Sequence, residues 1–167
     1  MLILKLLEQI PFFWEFTEEE RQIFVDSNSF FIHYQPNDLL IREGDEDDAL
    51  LIILEGSALV HTNANPEVTL ATLTSSAIIG ELSFLTKQPR TSNVVAQQET
   101  VAFRIDGQAM KQLDPVLQLK IKDQLIRILV DRLEQMNHAM AKQKEMNQVL
   151  ARALAEFGAE QGEGATS

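Results

Sequence analysis

The sequence contains no cysteine, which excludes disulfide bonds, thiolate nucleophiles and metal centres with thiolate ligands. It also lacks an apolar run of 18 residues, the length that a membrane-spanning helix needs, so we expect no membrane span. The apolar residues 1–7 are followed by Glu8 and by no small-residue cleavage site, which makes them a poor secretory signal. These absences are compatible with a cytoplasmic protein, and that is the location we expect.

Basic residues are scarce, with 14 Lys and Arg against 25 Asp and Glu and a net charge of −11. Proteins bind nucleic acids by neutralising backbone phosphates with Lys and Arg, so this balance disfavours a nucleic-acid partner. A small phosphate ligand is still compatible with the charge, because one arginine and a few backbone N–H groups act at short range.

Histidine is scarce as well: His33, His61 and His138 are the three in the chain, and none is part of a His-x-His or His-Glu-x-x-His motif. A metal-dependent barrel enzyme would need such a ligand cluster, so we expect no metal site. We place His33 and His61 at the surface of strands. No Gly-x-Ser-x-Gly elbow or Ser/His/Asp arrangement is discernible in the sequence, which leaves open a triad formed by residues that are distant in the chain.

Five carboxylates crowd residues 43–48, which invites comparison with a calcium loop. The stretch lacks the twelve-residue spacing of an EF-hand and its terminal glutamate. We therefore interpret it as a solvated hairpin.

Short apolar segments separated by turn residues recur from residue 31 to residue 105. About eight strands at this spacing predict a mainly β fold with flanking helices: an antiparallel β-roll or jelly roll (double-stranded β-helix). Helical periodicity predicts N-terminal helices before the strands and one long C-terminal helix after them. The predicted divisions are a helical segment (1–30), the β-roll (31–113), the long helix (114–157) and a disordered tail rich in Gly, Ala and Glu (158–167).

Three helix starts carry capping signals. Thr17 and Glu20 have the spacing of a capping box. Asp106 resembles an N-cap, and Asp114 before Pro115 combines a capping carboxylate with proline at the first helical position.

The predicted long helix carries a seven-residue repeat of the kind found in coiled coils. Positions a are Ile126, Leu133, Met140, Asn147 and Leu154, and positions d are Leu129, Met136, Gln143 and Leu150. An asparagine at position a favours two strands in a fixed register, so we expect a homodimer. The alternative is that the first half of the helix packs on the barrel and the second half is simply amphipathic.

Residues 78–94 combine features of a compact anion site. Gly80 permits close approach of the backbone to a ligand, and successive N–H groups in a turn or short helix form a concavity for phosphate. Arg90 can supply a bidentate partner for phosphate oxygens. The carboxylate of Glu81 cannot favour a phosphate, but it could accept a hydrogen bond from a sugar hydroxyl.

Gly80–Ser83 followed by Pro89–Val94 resembles the phosphate-binding cassette of the cyclic nucleotide-binding domain family, to which the catabolite activator and the regulatory subunit of protein kinase A belong. The resemblance extends over roughly residues 10–135. It implies that the arginine holds the cyclic phosphate and the glutamate holds the ribose 2′-hydroxyl. The ligand-binding residues that it implies in the cassette are Gly80, Glu81, Leu82, Ser83, Arg90, Thr91 and Ser92.

The same resemblance implies further features outside the cassette. Family placement puts Arg132, Met136 and Asn137 of the long helix near the base. Gly44 and Gly56 stand where the family has turn glycines, and Ser76 stands where it usually has another, so that turn is expected to differ.

The resemblance thus implies a non-catalytic sensor of cyclic AMP or cyclic GMP, with no other cofactor and with an unidentified protein partner. Threonine at position 91 permits cyclic GMP in this family without excluding cyclic AMP, so we expect both to bind and cyclic AMP to be the physiological ligand. Related transcription factors carry a DNA-binding segment after the long helix, and the ten residues after Phe157 leave no room for one. We therefore expect a stand-alone, bacterial-type member. The alternatives are a degenerate fold used only for dimerisation or docking, and a metal-dependent barrel enzyme.

Overall fold

A computed structural model of the chain describes residues 2–27 and 29–163. The chain divides into two compact units, Met1–Lys122 and Asp123–Ser167. The helices are α1 (Leu2–Gln9), a one-turn 3-10 helix (Pro11–Phe13), α2 (Glu18–Ser27), α3 (Glu81–Thr86), α4 (Gly107–Gln112) and α5 (Pro115–Glu163). The strands are β1 (Phe31–Tyr34), β2 (Leu39–Ile41), β3 (Leu50–Glu55), β4 (Ser57–His61), β5 (Ala71–Thr74), β6 (Ile78–Ile79), β7 (Asn93–Ala96) and β8 (Thr100–Ile105).

The strands form two four-stranded antiparallel sheets, with the orders β1-β8-β3-β6 and β2-β7-β4-β5. The predicted antiparallel roll with flanking helices is therefore confirmed. The apolar residues Val68 and Leu70 lie before strand β5, which begins at Ala71, and Val68 is 52% exposed. Where the first side chains of a strand are exposed, the apolar pattern of the sequence specifies its first residue only weakly.

Strand β3 is buried on both faces, which explains why its sequence is continuously apolar rather than alternating. Leu51 and Ile53 belong to the core between the sheets. Ile52 lies opposite Phe103 in the sheet register, and Phe103 packs edge-on against Phe13 of the N-terminal segment at a centroid distance of 5.2 Å. The aromatic residues of the N-terminal segment thus cover the outer face of the first sheet.

The predicted helix starts are present. The N–H of Thr17 donates to Glu20 Oε2 at 2.8 Å, and the N–H of Glu20 donates to Thr17 Oγ1 at 3.3 Å, which is a capping box. Asp106 Oδ1 accepts from the N–H groups of Gln108 and Ala109 at the start of α4. Asp114 Oδ1 likewise accepts from the N–H of Val116 at 2.8 Å at the start of α5.

The turn glycines take the expected backbone conformations, whereas the expected difference at Ser76 is absent. Gly44 and Gly56 have φ angles of 88° and 98°, in the left-handed region that favours glycine. Ser76 adopts the same region, with φ 72°, so this turn keeps a glycine-like backbone. The side chain makes that conformation unfavourable by on the order of 1 kcal/mol.

Helix α5 ends at Glu163, six residues after the predicted end at Phe157. Residues 158–163 are therefore helical and not part of a disordered tail, which corrects the predicted boundary. Alanine, glutamate and glutamine are strong helix formers, and Gly158 and Gly162 cost only about 1 kcal/mol each. The remaining predicted tail, residues 164–167, lies outside the described residues. No helix in the described part of the chain is long and apolar enough to cross a membrane.

Candidate functional site

Gly80 is the corner at which β6 ends and α3 begins, and its φ angle is 79°. A Cβ at this position would collide with the guanidinium of Arg90 and lie 2.7 Å from the carbonyl oxygen of Ala49. The first backbone bond of α3 runs from the N–H of Phe84 to the oxygen of Gly80 at 3.0 Å. The N–H groups before it have no acceptor within their own helix, which is the arrangement that suits an anion.

Arg90 is buried in the first unit, and its side chain is 2% exposed. Its Nη1 donates to the carbonyl oxygen of Gly80 at 3.1 Å, and its Nη2 donates to the carbonyl oxygen of Ala49 at 2.5 Å. Nη2 also donates to Asp47 Oδ2 at 2.6 Å. The buried Nε has no hydrogen-bond partner. A guanidinium has five N–H donors, so the Nε–H and one Nη1–H remain for a ligand.

A buried donor without an acceptor costs free energy that an anionic oxygen would recover. Because the side chain of Arg90 is almost fully covered, an anion can reach these donors only if a neighbouring group moves. The site is therefore chemically suited to an anion and closed in this conformation.

Asp47 connects Arg90, in the loop between α3 and β7, with Arg104 of β8, and its role was missed from the sequence. Its Oδ2 accepts from Arg90, and its Oδ1 accepts from Arg104 Nη2 at 2.8 Å. Arg104 in turn lies 3.3 Å from Oδ2 of Asp106, the N-cap of α4. Partial burial alone would raise the pKa of Asp47, but the hydrogen bond and charge of Arg90, with the charge of Arg104, lower it. The carboxylate therefore stays ionised.

Asp48, the next residue, likewise connects the cassette with α4. Its Oδ2 accepts from Lys87 Nζ at 2.5 Å, and its Oδ1 accepts from the N–H of Gly107 at 3.2 Å. The Lys87 hydrogen bond is the main cause of the lowered pKa of Asp48. The interpretation of residues 43–48 as a solvated hairpin is therefore wrong for its last two residues, which bind groups of the cassette and of α4.

Backbone hydrogen bonds hold the acidic loop against the cassette. The N–H of Arg90 donates to the oxygen of Asp45, and the N–H of Gly44 donates to the oxygen of Arg90, both at 2.9 Å. Asn93 is buried, accepts from the N–H of Glu43 and donates to Asn63 Oδ1 at 2.7 Å. These contacts fix the backbone on both sides of Arg90.

The predicted cassette residues differ in their solvent exposure and contacts. Gly80 and Arg90 are in direct contact, and Ser83 is buried at 4% exposure. Leu82 is 47% exposed and Thr91 is also exposed. The other two, Glu81 and Ser92, are half-buried.

The three base-contacting residues predicted on the long helix belong to the second unit, on α5. Arg132 and Met136 are four residues apart and therefore share one face of the helix, with Asn137 beside it. Arg132 is half-buried, Met136 is 61% exposed and Asn137 is exposed. Their role at the base stays a prediction.

Of the two histidines predicted at the surface, His33 is exposed and its Nδ1 lies 3.5 Å from Glu99 Oε1. His61 is half-buried, and its Nδ1 is buried without a hydrogen-bond partner, so its placement was only partly right. Its position in β4, paired with Asn93 of β7, places it between two neighbouring strands. Among the described residues, no group of three or more potential ligands could hold a metal ion.

The chain was compared with known families and proteins. Residues 31–114 match the family described as "Cyclic nucleotide-binding domain". Among curated proteins, the chain is 29% identical to a cGMP-dependent protein kinase of Eimeria tenella over 102 residues, and 28% identical to that of Toxoplasma gondii over 133 residues. These matches cover 60% and 78% of this chain but only 10% and 12% of the kinases. The chain thus spans about a tenth of the length of the curated relatives it matches.

Solved structures give the same result for the fold. A cyclic nucleotide-binding domain from Methylobacillus flagellatus is 30% identical, with a TM-score of 0.64, over 80% of this chain and 77% of that one. The catabolite activator protein of Thermus thermophilus has a TM-score of 0.64 at 23% identity, over 78% of this chain and 61% of that one. A structure titled "Sp-2Cl-cAMPS bound to PKAR CBD2" has a TM-score of 0.63 at 22% identity, over 82% and 88%.

Proposed function

Because this chain belongs to the cyclic nucleotide-binding domain family, we propose that it is a non-catalytic cytoplasmic sensor that binds cyclic AMP or cyclic GMP and signals through its C-terminal helix. The observation that carries the proposal is the buried Arg90, whose Nε–H has no acceptor and which contacts the left-handed Gly80 at the start of α3. A monoanionic cyclic phosphate supplies the acceptors that these donors lack.

In this proposal the cyclic phosphate lies against Arg90 and the N–H groups of Leu82 and Ser83, with Thr91 and Ser92 beside it. Glu81 accepts the ribose 2′-hydroxyl hydrogen bond. The base contacts come from Arg132, Met136 and Asn137 of α5. Asp47 already partly neutralises the charge of Arg90. The ligand phosphate therefore adds acceptors to a guanidinium that is paired, not to an isolated buried charge.

In this proposal the site accepts both nucleotides. The exposed hydroxyl of Thr91 can accept a hydrogen bond from the 2-amino group of a guanine in the syn conformation, which adenine lacks. One neutral hydrogen bond contributes only about 0.5–1.5 kcal/mol, and the apolar Met136 offers guanine nothing further. We therefore propose that both bind and that cyclic AMP is the physiological ligand.

The proposal includes a homodimer formed through α5. In the second unit the apolar a and d residues are exposed, from 37% for Leu129 to 68% for Leu154. A soluble helix with such a row of exposed Leu, Ile and Met side chains is stabilised when a second copy covers them. Asn147 at an a position would fix the register of the pair.

A second candidate function is the degenerate fold, in which the chain serves as a dimerisation or docking module without nucleotide. It is favoured by the three acceptors that Arg90 already has and by the 2% exposure of its side chain. Isothermal titration of the full chain with cyclic AMP, cyclic GMP and 5′-AMP separates the two. The sensor proposal predicts saturable binding of the cyclic nucleotides and much weaker binding of 5′-AMP; the docking module predicts no binding of any of them.

A further inference from the structure

The first unit has a groove of about 610 Å³ that shares no residue with the proposed nucleotide site. It lies between α3, α4 and the start of α5. Phe84, Leu85 and Met110 form its apolar part. Phe84 and Met110 are buried, at 7% and 5% exposure, whereas Leu85 is 44% exposed.

Cationic side chains line the same groove. Three of the seven lysines in the chain line it: Lys87 directly after α3, Lys111 in α4 and Lys122 in α5. The lining contains one carboxylate, Asp48, which is paired with Lys87. Lys87 also lies over the ring of Phe84, with Nζ 5.3 Å from the centroid. Lysines concentrated in one groove are unexpected in a chain with a net charge of −11.

Lys111 and Lys122 have no anionic partner among the described residues, where the ion-paired lysines are Lys87 and Lys120. A lysine beside an apolar floor can extend its ammonium group toward a bound carboxylate while its methylenes cover apolar surface. The groove therefore presents positive charge around a hydrophobic patch.

We propose that this groove binds an acidic segment of a partner protein, in which two or more carboxylates flank a Leu, Phe or Met side chain. The apolar side chain packs on Leu85 and the edges of Phe84 and Met110, and the carboxylates pair with Lys111 and Lys122. A small inorganic anion would leave the apolar floor uncovered. A nucleic acid would face the repulsion of the remaining surface, because the chain as a whole is strongly acidic.

The proposal is tested by selecting a random phage-displayed peptide library on the immobilised full chain and titrating the enriched peptides by fluorescence anisotropy. We expect the enriched sequences to carry Asp or Glu around an apolar residue. The double substitution Lys111→Gln/Lys122→Gln should weaken their binding by about fivefold or more, since it removes both ion pairs with the peptide carboxylates. Leu85→Glu should weaken it as well, and its partial exposure makes this variant tolerable for folding.

The matched control is Lys142→Gln/Lys144→Gln, which removes the same charge from residues of α5 that do not line this groove. Its effect should stay below about twofold. Circular dichroism checks that each variant is folded. The proposal is overturned if no peptide is enriched, if the enriched peptides are not acidic, or if both double variants weaken binding equally.

Discussion

Asp47 Oδ2 lies 2.6 Å from Nη2 of Arg90, and the two residues are 43 positions apart in the chain. The pair ties the loop before β3 to the cassette, and the second oxygen of Asp47 extends the connection to Arg104 and the start of α4. The proposed phosphate-binding arginine is therefore part of a network formed by the protein's own side chains.

The substitution Asp47→Asn should destabilise the fold by about 1–3 kcal/mol, the cost of leaving buried donors poorly satisfied. Urea denaturation measures the loss. Asp45→Asn is the control, because Asp45 is an exposed neighbour in the same acidic loop and contributes its backbone oxygen rather than its carboxylate. It should change stability by no more than about 0.5 kcal/mol. Equal effects of the two substitutions would contradict the structural role of Asp47.

Stability should also depend on pH through Asp47 and Asp48, whose pKa values are lowered in the folded state. A carboxylate with a lowered folded pKa stabilises the fold above its unfolded pKa of about 4, and this contribution is lost as the pH falls through the folded value. The difference in unfolding free energy between the wild type and Asp47→Asn should therefore be constant near neutral pH and shrink below about pH 4. A difference that grows on acidification would reverse the expected sign.

Glu81→Ala should weaken cyclic AMP binding by about 1–3 kcal/mol, because the ribose hydroxyl loses a charged acceptor. The 2′-deoxy analogue provides a double-mutant cycle: it should bind the wild type more weakly than cyclic AMP does, and should lose little further in Glu81→Ala. Calorimetry gives all four affinities. Additive losses would show that Glu81 does not contact the 2′-hydroxyl.

Thr91→Ala should reduce the affinity for cyclic GMP relative to cyclic AMP by up to roughly tenfold, the limit for one neutral hydrogen bond. Thr86→Ala serves as the comparison, since the Thr86 hydroxyl donates within its own helix to the carbonyl oxygen of Leu82. An unchanged ratio of the two affinities in Thr91→Ala would mean that Thr91 does not read the base.

Sedimentation of the full chain at micromolar concentration should show a dimer, and truncation after Gln135 should favour the monomer by removing most of the heptad repeat. Asn147→Leu should strengthen association and broaden its stoichiometry, because the buried polar residue disfavours other assemblies. A monomeric full-length chain would refute the coiled-coil proposal.

Local signals predicted most of the fold. Apolar strand segments ended by residues such as Gly44 and Gly56 mark the roll, and capping residues such as Asp106 mark the helices, because each acts over a few neighbouring positions. The end of α5 was misplaced because isolated glycines such as Gly158 and Gly162 are weak stop signals in a helix-forming sequence.

The cassette was predictable because Gly80 and Arg90 are close in sequence and carry a recognisable spacing. The partner of Arg90 was not, since Asp47 reaches it only through the pairing of distant strands. A buried arginine needs an acidic partner, so an acid-rich segment elsewhere in the chain is the signal that could have pointed to it. The acidic loop directly before the buried strand β3 was a candidate source of that acidic partner.

The central claim is that Arg90 holds the cyclic phosphate, and its unpaired Nε–H reports on this directly. Proton–nitrogen correlation spectra of the arginine Nε–H groups should be recorded as cyclic AMP is added, with the Arg90 signal assigned by its loss in Arg90→Lys. We predict a saturable downfield shift of this proton as it acquires a phosphate acceptor, and weakening of cyclic AMP binding by about 2–5 kcal/mol in Arg90→Lys. Binding of cyclic AMP that leaves the Arg90 signal in place, or the absence of binding, would contradict the account.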